Sequence, residues 1–232
     1  MAMVLVLDLV ERAEPMSTSQ QSVPDVCEPV LEWGFAVPMM RWRLPEADAL
    51  NNDLRAVILA REARGDEARV SNVGGWQSRA DFLDGTQPCV VALRGHLISL
   101  IRSVMASPVG GDLSRIEGQI GLTGWANVNR DGDFNRVHDH AGSHWSGVYY
   151  VDTGRPDPGS ELNGAIEFLD PRPSINMPIP GYRTASALAV TPSPGEFVLF
   201  PSWLQHYVLP FRGSGERISV AFNAQVKDYR LK

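Results

Sequence analysis

The side chains best able to do chemistry in this chain are His138-Asp139-His140, then Gln205-His206 far downstream and Arg217-Ile218-Ser219 beyond it. The chain has five histidines, and four of them, at 138, 140, 144 and 206, fall in its second half. Side chains alternate along a strand, so imidazoles one residue apart point to the same face. A third imidazole from a distant strand completes one face of a metal's coordination shell and leaves positions open for substrate or oxygen. Neutral imidazole suits iron, zinc, copper or nickel, so the residues alone do not choose the metal. Any one of these histidines taken singly reads as an ordinary core or surface residue. The alternate pair and its downstream context favour the metal.

That context is the run Gly195-Glu196-Phe197-Val198-Leu199-Phe200-Pro201-Ser202-Trp203-Leu204-Gln205-His206, followed by Arg217 to Asn223. A glycine turn launches a strand, a proline corner ends it, and His206 opens the next. Arg217 begins a further strand, with Ser219 on its same face. Guanidinium binds carboxylate in a bidentate fork, so an arginine beside a metal-binding histidine can clamp a dicarboxylate, and Ser219 can add a hydroxyl donor. Without the histidines, Arg217 reads as a surface salt bridge.

The elements that must position these residues are legible in outline. Residues 11–29 are polar and aperiodic and read as a leader or poorly ordered arm. Residues 30–232 read as a single domain. Trp33 to Val37 is expected to be a first strand ended by Pro38. Pro45 to Ala63 is expected to be a helix with Leu50, Leu54, Val57, Ile58 and Arg61 on one stripe, and Pro88 to Met105 a second. Between them, Ser71 to Ser78 carries a Gly pair that demands unusual backbone angles. After Gly110 the pattern changes to short strands punctuated by Gly, Pro and Asp: 117–129, 145–151, 164–169, 186–190, 195–200, 205–210 and 217–225. This spacing predicts an α+β, mainly β fold, an antiparallel jelly roll of about eight strands supported by two N-terminal helices.

Composition narrows the function. A formal net charge of −6 and a pI near 5.4 argue against sequence-independent nucleic-acid binding, which needs a cationic surface. No Gly-rich nucleotide-binding run occurs. Cys27 and Cys89 are too few for a disulfide framework and fit a reducing cytoplasm. The apolar run Val4 to Leu7 lacks a basic flank and is interrupted by Asp8, so it does not read as a signal peptide. No window reads as long and apolar enough to span a membrane. A homodimer is compatible with the sequence.

The segments SNVGGWQS (71–78), WANVNRDGDFNRVHDH (125–140), SGVYYV (146–151), FLDPR (168–172) and GEFVLFPSWLQHYVLPFRGSGERISVAFN (195–223) together resemble the 2-oxoglutarate/Fe(II)-dependent oxygenase superfamily. Within it, they resemble a bacterial and phage family without an assigned substrate. The resemblance implies a double-stranded β-helix, Fe(II) as metal, 2-oxoglutarate and dioxygen as cosubstrates, and a small-molecule or peptide substrate. It also implies His138 and His206 as metal ligands and Arg217 with Ser219 on the distal carboxylate of 2-oxoglutarate. The sequence departs from the superfamily at position 140, where His stands in place of the usual carboxylate. Either His140 is the third ligand, or a bulge turns Asp139 inward to take that role. Asn127 or Asn129, with Tyr149, is expected to reach the cosubstrate, unless these asparagines and Asn135 serve turn chemistry. His144 reads as lying beside the site or at the surface, and Trp125 and Trp203 as core. The 45–63 helix and the 71–78 loop, with Trp76, are expected to shape the substrate mouth.

Three other readings stay open. A cupin-like three-His enzyme without 2-oxoglutarate explains His140 but leaves Arg217 and Ser219 unexplained. The spacing His138-x-His140-x-x-x-His144 resembles that of binuclear zinc hydrolases only superficially, because Gly142 stands where their Asp would be. A non-catalytic jelly-roll binding module would use the histidines structurally.

Overall fold

The computed structural model describes residues 36–68, 70–159, 161–172 and 187–232. The leader 1–29 and Trp33, Gly34 and Phe35 of the expected first strand lie outside the described residues. The strands are β1 (Met40–Arg43), β2 (Asn72–Val73), β3 (Trp76–Gln77), β4 (Ile116–Asn129), β5 (Phe134–His138), β6 (Trp145–Pro156), β7 (Ile166–Leu169), β8 (Ala187–Val190), β9 (Glu196–Pro201), β10 (His206–Val208) and β11 (Gly213–Leu231). Among the described residues, two α-helices, α1 (Asp48–Ala63) and α2 (Pro88–Ala106), precede β4. The strands form a six-stranded sheet ordered β1-β9-β6-β11-β4-β3 and a five-stranded sheet ordered β2-β5-β10-β7-β8, with antiparallel pairing throughout. This is the expected jelly roll.

Period-two alternation divides the larger sheet cleanly. Ala126 and Val128 of β4, Tyr149 and Val151 of β6, Phe197 and Leu199 of β9, and Ile218, Val220 and Phe222 of β11 face outward onto the helices. There they meet Leu54 and Ile58 of α1 and Leu93, Leu97 and Ile101 of α2, all fully buried. The opposite face carries Tyr150, Val198 and Phe200, which pack on Ile166, Phe168 and Val190 of the smaller sheet. The helices therefore back the larger sheet, while the inter-sheet space is left for the site. Gly147 allows that sheet to pack closely, since a Cβ there would lie 2.5 Å from the Phe222 ring and 2.7 Å from the Val198 carbonyl.

Several expectations are corrected. The first strand among the described residues is Met40–Arg43, paired with β9, and the described end of the expected strand, Ala36 and Val37, is not in a strand. Pro38 lies two residues before β1. Helix α1 starts at Asp48 and does not include Pro45. Strand β5 is an addition to the expected set, because its Asn and Arg residues hide the alternation. The 71–78 segment folds as the short strands β2 and β3 around Gly74 and Gly75, whose φ values of 66° and 59° favour glycine. Trp76 sits in the helix-side core, and α1 packs on the outer face, so neither shapes the cavity. One helix among the described residues, Pro88–Ala106, is long and apolar enough to cross a membrane. Its apolar stripe is spent on the larger sheet, with Leu93, Leu97 and Ile101 buried there, which is the behaviour of a core helix.

Candidate metal centre and anion pocket

His138 is the last residue of β5 and lies directly opposite His206, the first residue of β10, so both imidazoles share the inner face. His140 lies just past the strand end. Its backbone N–H donates to the Ser202 carbonyl at 2.9 Å, which ties it to the corner leading into β10. The three imidazoles consequently converge, with ligand nitrogens all within 4.8 Å of one another. Ring centroids are 4.4 Å apart for His138 and His206, 5.0 Å for His138 and His140, and 5.1 Å for His140 and His206.

The surroundings prepare these rings to ligate. Nδ1 of His138 lies 2.7 Å from the Arg136 carbonyl and Nδ1 of His206 lies 2.8 Å from the Leu204 carbonyl. A ring N–H donated to a carbonyl puts the proton on Nδ1 and leaves the Nε2 lone pair free. Burial, and then repulsion from His138, push His206 down to about 3 and His140 down to about 4, while burial also lowers His138. All three are therefore neutral near pH 7, the form a metal requires. His140 packs beside Trp125 at 5.5 Å, and His206 meets the edge of Phe200 at 4.6 Å.

Asp139 is exposed, and its carboxylate accepts from the Ala141 N–H at 3.2 Å. That short turn carries the carboxylate away from the imidazoles. His144 is exposed too, its Nδ1 accepting from the Val226 N–H at 3.1 Å.

Deeper in the same cavity, of about 450 Å³ including its open mouth, lie Arg217, Ser219, Asn127 and Tyr150. Arg217 is only 3% exposed. Its Nε donates to the Gly164 carbonyl at 3.1 Å and its guanidinium lies 5.3 Å from the centre of the Tyr150 ring, yet Nη2 has no hydrogen-bond partner among the described residues. Burial lowers its pKa, with Tyr150 opposing the shift. The Tyr150 hydroxyl and the Asn127 side-chain oxygen are likewise buried without hydrogen-bond partners among the described residues, and burial drives Tyr150 up to about 12. A buried cation with an unmade hydrogen bond, beside a neutral hydroxyl donor, is costly unless an anion fills the space.

Tyr149 is a correction. Its hydroxyl donates to Oδ1 of Asn51 in α1 at 2.6 Å, and its ring is in the helix-side core. Val148 and Tyr150 take the inner face, and alternation forbids both tyrosines from doing so. Trp125 and Trp203 are not core either: Trp125 lines the cavity and Trp203 is 54% exposed. Asn135 and Ser71 complete the mouth, joined by a 3.2 Å bond from Asn135 Nδ2 to Ser71 Oγ. Asn129 is buried opposite Arg217, outside the cavity wall.

Residues 123–223 match a family model described as "Putative 2OG-Fe(II) oxygenase". That range holds every residue of the cavity wall except Ser71. The match spans less than half of the chain and is a similarity to that family over the segment that builds the site. No curated protein matches the chain in sequence. Among solved structures, it is similar to a Pseudomonas putida prolyl-4-hydroxylase, at 19% identity over 82% of this chain and 92% of that one, with a TM-score of 0.55. A Trichoplax adhaerens prolyl hydroxylase gives 16% identity over 81% and 83%, at 0.54, and iron-bound HygX from Streptomyces hygroscopicus 12% over 82% and 82%, at 0.52. At these identities the likeness is one of fold.

Proposed function

We propose that the protein is a hydroxylase that oxidises a small molecule or peptide, with Fe(II) held by His138, His140 and His206 and 2-oxoglutarate held by Arg217, Ser219, Asn127 and Tyr150. The observation that carries this is the buried Nη2 of Arg217, without a hydrogen-bond partner among the described residues, in the same cavity as three converging neutral imidazoles. Three neutral ligands leave the full metal charge uncompensated, which strengthens the attraction for an anionic chelator. When bound, Fe(II) supplies the activation of dioxygen, and 2-oxoglutarate is the co-reductant, leaving as succinate and carbon dioxide.

The chain's own residues do the positioning. Arg217 would pair through its Nη2 with the distal carboxylate, and Ser219 and Tyr150 would donate hydroxyl hydrogen bonds to the same group. Tyr150 suits that task because its high pKa keeps its proton in place. The carbonyls of Arg136 and Leu204 fix the tautomers of His138 and His206. Phe168, Phe200 and Val198 exclude water behind the site. Trp125 beside His140 offers an apolar wall for substrate at the mouth.

Similar structures include prolyl hydroxylases, one described in complex with a peptide fragment, and HygX, so substrate choice rests with the mouth and not with the fold. Residues 30–232 act as one oxygenase domain, and the free, buried Cys89 fits a reducing cytoplasm. A second reading, a three-His enzyme that does not use 2-oxoglutarate, draws on His140 but leaves the buried guanidinium without a task. Anaerobic titration of the Fe(II)-loaded protein with 2-oxoglutarate distinguishes the two. A weak visible absorption band that appears on titration supports the oxygenase reading. Stoichiometric metal with no band and no bound 2-oxoglutarate sinks it.

A further inference from the structure

The pairing of β11 with β6 changes register twice around Arg217. From Ser214 to Arg217, β11 advances three residues while β6 moves only from Arg155 to Thr153. From Ile218 to Ser219, β11 advances one residue while β6 moves from Asp152 to Tyr150. Two opposed bulges thus bracket Arg217 and Ile218, the first on β11 and the second on β6. Bulges bend a strand and re-aim its side chains, so this pair sets where the Arg217 guanidinium points.

One side chain on the outside of the sheet grips both bulges. Nη2 of Arg55, in α1, donates to Glu216 Oε2 at 2.6 Å, and its Nε lies 3.3 Å from Asp152 Oδ2. Glu216 belongs to the first bulge, and Asp152 opens the second. The third strand at this level is held in the same way. Arg130, next to the Asn129 that pairs with Arg217, bonds both oxygens of Glu62 at 2.7 and 2.9 Å and lies 3.8 Å from Glu216. Arg55 and Glu62 are seven residues apart and share a face of α1, whose Leu54 and Ile58 anchor it in the core.

We propose that Arg55 is a positioning residue for Arg217: by holding Glu216 and Asp152 from outside, it fixes both bulges and so the aim of the guanidinium inside. This rests on the reading of Arg217 as the 2-oxoglutarate clamp. Exposed ion pairs contribute little to global stability, so the effect falls on local register more than on folding.

The test measures 2-oxoglutarate dissociation from the anaerobic Fe(II)-loaded protein, alongside Fe(II) stoichiometry, thermal midpoint, and amide hydrogen exchange of residues 214–219 in the metal-free protein. Arg55→Ala is expected to raise the Kd about three- to tenfold and to speed exchange in that segment, with one Fe(II) retained. Arg55→Lys, which can reach one carboxylate as a point charge, is expected to recover part of the affinity. Glu216→Gln provides a second perturbation in the same direction. Native affinity and exchange in Arg55→Ala, with binding lost in Arg217→Met, would overturn the inference and leave the clamp standing. Unchanged binding in Arg217→Met would overturn both.

Discussion

Replacing Arg217 with methionine is expected to uncouple stability from ligand binding, and the structure sets the size of each effect. Methionine keeps most of the length and apolar stem, so no large cavity opens. Losing the guanidinium strands the Gly164 carbonyl, at a cost of about 1–3 kcal/mol. It also removes the contact with the Tyr150 ring, worth about 0.5–2 kcal/mol. Against this, a buried charge with an unmade hydrogen bond among the described residues disappears, and replacing buried ionic groups with apolar ones runs from neutral to stabilising by about 1–4 kcal/mol. The opposing contributions are similar, so the ligand-free thermal midpoint should stay within about 4 °C of the native value. Binding behaves differently. Removing one partner from a buried charge pair costs about 3–5 kcal/mol, which is at least about a 100-fold rise in the Kd for 2-oxoglutarate. The assay is anaerobic titration of the Fe(II)-loaded variant, with a melting curve of the same sample before ligand is added. Native-like affinity would refute the reasoning, because some other group would then hold the carboxylate. A fall of more than about 10 °C would refute it too, since the guanidinium would then be holding up the fold.

The adjacent tyrosines should separate. Tyr149→Phe strands the buried Oδ1 of Asn51 and should cost about 1–3 kcal/mol of stability with 2-oxoglutarate affinity unchanged. Tyr150→Phe should leave stability nearly unchanged, because its hydroxyl has no hydrogen-bond partner among the described residues, and should weaken 2-oxoglutarate; the reverse pattern in melting and titration would exchange their roles. Acid should destabilise the metal-free protein. The pKa values of His206 and His140, about 3 and about 4, lie below the ordinary value of 6.5, so the unfolded chain binds more protons in that window and stability falls with pH. At pH 5, His206 alone should cost about 2 kcal/mol, visible as a falling melting temperature that His206→Asn flattens; a flat native profile from pH 6.5 to 5 contradicts this. His140→Ala should lose Fe(II) on desalting while Asp139→Ala keeps one equivalent, and the opposite result would transfer the ligand to position 139.

Both helices are legible in the sequence because their apolar residues recur at helical spacing, and Pro88 marks the start of α2 to the residue. Most strands of the jelly roll follow from alternation and turn residues, and His138, His206, Arg217 and Ser219 follow from residue type and spacing. All four line the cavity. Strand β5 is not legible, since Asn135 and Arg136 break its apolar pattern and pairing with β10, instead of composition, makes it a strand. Membership of the cavity wall is a property of register. Tyr149 and Tyr150 are chemically alike in sequence, and only the pairing of β6 with β9 and β11 decides that the first meets Asn51 and the second meets Arg217. His140 reaches the other imidazoles through a backbone bond to Ser202, sixty-two residues away along the chain, whereas Asp139 is turned out by a bond to its near neighbour Ala141. The bulges around Arg217 and the grip of Arg55 on them are invisible in one dimension, because they depend on three strands and a helix meeting at one level. Local spacing thus determines which residues can do chemistry, and long-range pairing, where a shift of one residue reverses every side chain, decides which of them face one another.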